Sequence, residues 1–304
     1  MQKPMRILMQ IQQLEVPDVM RCLRALALVA LFGGIAACER VVSVTVPAST
    51  PRLVVEARLE RVRDAVTGVQ RIRLSTTDSY FNSTAPPPVR GATVRVTDDS
   101  GRVVVFTESL TDAGVYATNF LVINVRRAYT LRITYAGQEY VSTESTMSGV
   151  SIDSIFFAPG NGFRGPADGL RATIALQDPP GVRNFYLWDQ FVNGVRLVSP
   201  DSESYSRVVA SDEFNEGEYV PEFQPYDGRV VTSGQLVQIR QVSISPQAYR
   251  FYTALSEQSL NDGSPFGVPA SSLRGNIANL TSPANVALGY FIVAEVTQAE
   301  RRVP

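Results

Sequence analysis

The stretch ATVRVTDDSGRVVVFT, Ala92–Thr107, decides the fold. Val94 and Val96 alternate with Thr93, Arg95 and Thr97, the period of two that sends successive side chains to opposite faces of a strand. Asp98-Asp99-Ser100-Gly101 supplies turn residues, and Val103–Thr107 returns as the antiparallel partner. The expected unit is a β-hairpin.

The same pattern extends in both directions. Upstream, Leu53–Leu59 (LVVEARL) sets Leu53, Val55 and Ala57 on one face against Glu56 and Arg58 on the other. Val69–Ser75 alternates more clearly, with Ile72 and Leu74 inward and Arg71 and Arg73 outward. Between Thr76 and Val89 lies a polar loop, stiffened by Pro86-Pro87-Pro88 as polyproline II. Downstream, Asp112-Ala113-Gly114 turns into Val115-Tyr116, and Ala128–Tyr135 pairs with Glu139–Thr146 around Ala136-Gly137. Short strands with turns at about 8–12-residue spacing, and no helical period, predict an antiparallel sandwich. The elements GATVRV, DSG and GVY are similar to those of prealbumin-like or carboxypeptidase-regulatory sandwiches.

A boundary falls at Met147–Asp153, and a second run of strands follows. Ile152–Phe157, Leu170–Gln177, Asn184–Val192, Val195–Val198, Arg229–Val231 and Gln235–Ser243 are the candidates, with Asn193-Gly194 as a hairpin turn. Gly160–Gly169 reads as a loop, and Ser211–Pro225 is acidic and aromatic without a period. Ser245-Pro246 has the N-cap and N1 chemistry of a helix start. The predicted helix carries Ala248, Phe251, Tyr252, Leu255 and Ser259 along one side and stops at Asn261-Asp262-Gly263. Val286–Val296 (VALGYFIVAEV) is apolar enough for a central strand, and Gln298–Pro304 reads as a polar tail.

The fold expected is all-β: two consecutive antiparallel β-sandwich-like domains, the second with one α-helix near the C-terminus, preceded by a lipoprotein signal peptide. The division is residues 1–37 signal, 38–51 lipidated tether, 52–148 first sandwich, and 149–304 second β domain with a helix at 246–260.

The leader rests on RCLRALALVALFGGIAAC, Arg21–Cys38. Arg21 and Arg24 precede an apolar run shorter than the roughly 20 residues needed to span a bilayer. Ile35-Ala36-Ala37-Cys38 has the form of a bacterial lipobox, an aliphatic and two small residues before the acylated cysteine. The alternative is an ordinary secretory signal with Cys38 as a bystander. Each buried methylene contributes about 0.8 kcal/mol, so three acyl chains of palmitate type anchor a protein durably. Glu15, Pro17 and Asp18 fit poorly ahead of a signal, and Met20 is the expected start.

Composition excludes whole classes of chemistry. The chain has 28 Lys and Arg against 29 Asp and Glu, a net charge of −1, so a nucleic-acid partner is not expected. There is no histidine, the only lysine is Lys3, and the only cysteines are Cys22 and Cys38. Serine–histidine and cysteine–histidine catalysis, lysine Schiff bases and His/Cys zinc sites are therefore absent from a processed chain. No cofactor and no catalytic residue is proposed. Carboxylate chemistry and oxygen-ligated calcium remain open.

The order of motifs carries a resemblance. LVVE, RLSTTD, PVRGATVRVTD, DAGVY, YTLRIT, IDSI, YRFYTALSEQ, PFGVP, RGNIAN and ALGYF, from about Leu53 to Val296, together resemble the Bacteroidota outer-membrane lipoproteins grouped as domain of unknown function 4249. That resemblance implies an outer-membrane lipoprotein of unknown activity, acylated at Cys38, working beside a TonB-dependent receptor. It carries over no catalytic residue.

Three clusters are candidate ligand sites. Tyr186, Trp188 and Tyr205, with Phe185 and Phe191, form either an aromatic platform for a sugar or peptide, or core and cross-strand pairs. Asp212, Glu213, Glu216 and Glu218 form either a calcium site or a solvated acidic loop. Ser264–Asn279 either packs over the second sheet or docks a partner. The function expected is non-enzymatic recognition in the cell envelope, with a surface binding module and then a carboxylate hydrolase as alternatives.

Overall fold

A computed structural model describes residues 50–65, 68–79, 82, 84–160, 168–197, 208–226, 228–259 and 273–304. The first strands are β1 (Leu53–Val62), β2 (Gln70–Thr76), β3 (Thr93–Asp98), β4 (Val103–Glu108), β5 (Val115–Thr118), β6 (Ala128–Tyr135) and β7 (Gln138–Ser145). Then come β8 (Ser154–Pro159), β9 (Leu170–Gln177), β10 (Phe185–Val192), β11 (Val195–Arg196), β12 (Val209–Ser211), β13 (Tyr219–Phe223) and β14 (Leu236–Ser243). Helix α1 (Pro246–Ser259), β15 (Ala278–Asn279) and β16 (Leu288–Arg302) complete the described elements. The protein is mostly β, with large antiparallel sheets and one helix near the C-terminus.

The hairpin forms as its sequence requires. Val96 faces Val104 and Val94 faces Phe106 across β3 and β4, all buried. The Asp98 carboxylate accepts from the Ser100 and Arg102 amides and closes the turn. Gly101 takes φ of 86°, a left-handed conformation that suits glycine. Val103 and Val105 point outward at 54% and 59% exposure, so the alternation of β4 is real but hidden by valine on both faces. A second fastening joins two sequence motifs: the Tyr116 hydroxyl accepts from the Ala92 amide and donates to the Val89 carbonyl, each at 3.0 Å.

Helix α1 begins where the capping pair places it. The Ser245 hydroxyl accepts from the Ala248 amide at 3.1 Å. Ala248 and Tyr252 are buried against Leu187, Val242 and Tyr290, Ile292, Ala294 and Val296 of β16, with Phe251 and Leu255 half-buried beside them. The side chain of Ser259 and the stop at 261–263 lie outside the described residues.

The two parts are joined differently from a consecutive pair. One sheet runs β11-β10-β14-β16-β1-β2-β5-β4-β3-β6-β7-β15, with β12 beside β10. Within it β16 lies parallel to β1, from Val54–Leu288 to Val62–Val296, and antiparallel to β14, from Leu236–Arg302 to Ser243–Glu295. The connection around residues 147–153 is where sequence places a boundary, but the ladder crosses it. Residues 49–304 form one unit. A separate sheet, β13-β9-β8, covers the other side of β10 and β14.

Strand β16 supplies every core. Phe291 and Val293 enter the first-sandwich core, Tyr290, Ile292, Ala294 and Val296 face α1, and Ala299 and Val303 enter the core under β9. The predicted central strand is therefore present but longer. The polar tail expected from Gln298 is strand as far as Arg302, because Ala299 and Val303 alternate inward while Gln298 and Glu300 face water. The strand expected at 229–231 reduces to one bridge, Leu170–Val231.

Candidate functional site

The outward faces of β1 and β2 carry charge. Glu56 sits opposite Arg73, and Arg58 and Arg71 lie on the same side of the two strands. Over this face stand Phe251, Tyr252, Leu255 and Gln258 of α1, with Leu288, Gly289 and Tyr290 from the start of β16. Together with Arg52, Asp112, Arg196 and Leu273 they line a groove of about 710 Å³. Its apolar wall is aromatic: the Phe251 and Tyr290 rings lie 4.7 Å apart, and Phe251 and Tyr252 meet edge to face at 5.3 Å.

An ion network forms one end of the groove. Arg58 reaches Asp189 of β10 at 2.5 Å and Glu60 of its own strand at 2.5 Å. Arg196 also bonds Asp189, and Arg240 of β14 reaches Glu60 at 2.6 Å. Burial opposes ionisation of Asp189, but Arg58 and Arg196 outweigh it and hold its carboxyl below the usual carboxylate range. Burial likewise opposes the Arg58 charge, and Glu60 and Asp189 together overcome it, so that cation is held more firmly than usual.

A second ionic joint lies nearby. Glu295 of β16 accepts from Arg63 at 2.7 Å and from the Gly149 amide at 2.8 Å. Burial raises its pKa, and these donors more than reverse the effect. Glu144 of β7 behaves oppositely: burial pushes its pKa up, only partly offset by the Ser145 amide and by the Ser245 and Tyr290 hydroxyls.

Two of the aromatic candidates, Tyr186 and Trp188, are buried, at 4% and 3% exposure. Their polar atoms are used internally, the Tyr186 hydroxyl donating to Asp178 at 2.6 Å and the Trp188 indole to Gln241 at 3.0 Å. Phe185 packs against Tyr249 of α1 at 5.2 Å, and Phe191 is half-buried. Cys38 and Tyr205 lie outside the described residues.

The acidic candidates also separate. Buried Asp212 accepts from the Asn184 amide at 2.6 Å, Glu213 pairs with Arg183 at 3.6 Å, and Glu216 accepts from the Gly181 amide at 3.0 Å. Glu218 is exposed. Among the described residues no three carboxylates converge as metal ligands.

The described part of the 264–279 segment packs rather than projects. The Asn276 side chain donates to the Phe291 carbonyl at 2.8 Å and accepts from its amide at 2.9 Å, doing for β16 what a neighbouring strand does. Ala278 and Asn279 then pair with Val141 and Tyr140 of β7. Two backbones cross here: a Cβ on Gly275 would lie 1.6 Å from the Gly289 carbonyl oxygen, and one on Gly289 would lie 2.1 Å from that of Val55. Only glycine fits either position.

The family model described as a domain of unknown function, DUF4249, matches residues 39–300. The chain belongs to this family. No curated protein matches it. The RGNIAN and ALGYF elements of this DUF4249 chain are thus the two sides of the Gly275–Gly289 crossing. The groove residues escape sequence reading because they come from β1, β2, β5, β11, α1, β16 and the loops between; the outward arginines 58, 71 and 73 are the visible signal.

Proposed function

We propose that this DUF4249 chain is a non-enzymatic recognition protein of the cell envelope, acylated at Cys38, held in the outer membrane, and acting as an accessory of a TonB-dependent receptor. The observation that carries the recognition reading is the groove under α1, a concavity with an aromatic wall and an arginine rim. The buried carboxylates support it, since Asp189, Glu295, Asp178 and Asp212 are each held by arginine, hydroxyl or amide donors within the fold. The lipobox and the motif order support the envelope placement. Among the described residues no helix is long and apolar enough to cross a membrane.

The test is purification of the tagged full-length protein from its native membrane in mild detergent. A TonB-dependent receptor is expected at near-equal amount, and its absence removes the accessory reading. Labelling cells with a palmitate analogue checks the anchor: wild type should take up label and Cys38→Ala should not.

A further inference from the structure

We infer that the groove under α1 binds a small organic anion joining a carboxylate to a flat apolar body. This rests on the recognition reading above. The lining holds five guanidinium groups, Arg52, Arg58, Arg71, Arg73 and Arg196, against the carboxylates of Glu56 and Asp112. Most of these cations are already engaged. Arg58 and Arg196 hold Asp189, and Arg73 pairs with Asp112 at 3.2 Å. Arg52 and Arg71 have no ion pair among the described residues, although acidic residues of the same strands are close in sequence.

The register adds a second observation. The β1–β2 ladder sets Glu56 opposite Arg73 and ends at Ala57–Ile72, and Arg71, two residues from Arg73 on the exposed side of β2, lines the same groove. A ligand carboxylate there gains a cation that no acidic side chain holds, and the guanidinium fork matches carboxylate geometry in two parallel hydrogen bonds. Facing the cations are the Phe251 and Tyr290 rings and Leu288, which suit a flat apolar body. The volume of about 710 Å³ falls in the range of small-molecule sites, roughly 300–1,000 Å³, and bounds the ligand to that class.

The test uses the acylated full-length protein in detergent micelles with two matched probes, N-acetyl-phenylalanine and its uncharged amide, followed by calorimetry. The acid is expected to bind at least about tenfold more tightly than the amide, and more weakly as salt rises. Arg52→Gln with Arg71→Gln should lose about tenfold for the acid and little for the amide. Arg95→Gln, the same charge change on the outer face of β3, should leave binding unchanged, with circular dichroism reporting that every variant is folded. Equal binding of acid and amide overturns the proposal, as does failure of the folded wild type to bind either. So does an Arg52/Arg71 variant that binds like wild type. Receptor co-purification without probe binding removes the anion site and keeps the recognition role. Probe binding without a receptor keeps the anion site and removes the accessory reading.

Discussion

Strands β2, β3 and β6 of the first sandwich bury chiefly one face, whereas β9 and β10 of the second part bury both. In β2, β3 and β6 inward residues alternate with exposed or half-exposed ones, and the interior is almost wholly aliphatic and aromatic. In β9 six consecutive residues are buried, including Arg171 and Thr173, and in β10 five, including Asp189 and Gln190. The first part is stabilised chiefly by burial of apolar surface and by turn chemistry. The second depends on polar groups finding one another. Most do: Gln241 takes the Trp188 indole and donates to the Val150 carbonyl, to which Thr297 also donates. The Gln190 amide, fully buried, has no hydrogen-bond partner among the described residues, a whole side-chain amide left unpaired where the first part leaves single atoms such as the Ser142 hydroxyl. A sheet that shares β16 between these regions lets the better-packed one support the other.

The crossing of Gly275 over Gly289 is where that sharing is most easily broken. Alanine at 275 puts a methyl 1.6 Å from a carbonyl oxygen that β16 cannot move without losing its register with β1. The loss expected for Gly275→Ala is more than about 4 kcal/mol, in the exceptional class of point mutations. Urea unfolding should show both parts lost in one transition. A first sandwich that stays folded while the second melts would mean that β16 does not couple them.

The next effect tests the ionic end of the groove. Asp189→Ala leaves Arg58 without its partner on β10 and Arg196 without its only described one. The expected cost is about 3 kcal/mol, at the low end for a broken buried pair because Arg196 remains partly wet. Asp189→Ala with Arg58→Met should recover part of it, since the stranded cation is removed. Equal stability of the single and double variants would show that the network contributes by packing alone.

Legibility followed the same contrast. Alternation exposed the hairpin of β3 and β4, the β6–β7 pair and the inward set Ile72 and Leu74, because one face of each strand is wet. The cap at Ser245-Pro246 was readable because its chemistry is local. The parallel pairing of β1 with β16 was not, since it joins segments more than two hundred residues apart and leaves no mark on either alternation. Trp188 and Tyr186 were ambiguous for a related reason: an aromatic on a doubly buried strand and one on an exposed platform have the same sequence signature, and the deciding partners, Gln241 and Asp178, lie on other elements. The groove was the least legible, being assembled from elements far apart in sequence, with the outward arginines of β1 and β2 resembling an ordinary wet face.

The smallest effect is one of sign, and it separates the carboxylates at the joints. Glu144 lies on β7 of the first sandwich, but the two hydroxyls that favour its anion, those of Ser245 and Tyr290, belong to the cap of α1 and to β16. Its folded pKa is raised, first by burial, so the folded state binds its proton more tightly than the unfolded chain, whose carboxyl titrates near 4.3. That contribution to stability is complete below the unfolded value and is lost as pH rises through the folded one. Asp189 and Glu295 have lowered folded pKa values, their arginine partners outweighing burial. Their contribution is present above the unfolded values and is lost as pH falls through the folded ones. Urea midpoints followed from neutral to acid should therefore first rise, as Glu144 takes its proton, and then fall, as Asp189 and Glu295 lose their charge. Glu144→Gln should remove the rise and leave the fall. A midpoint that declines steadily from neutral pH in the wild type would mean that Glu144 is stabilised as an anion, and that this contact between the two regions is ionic like the others.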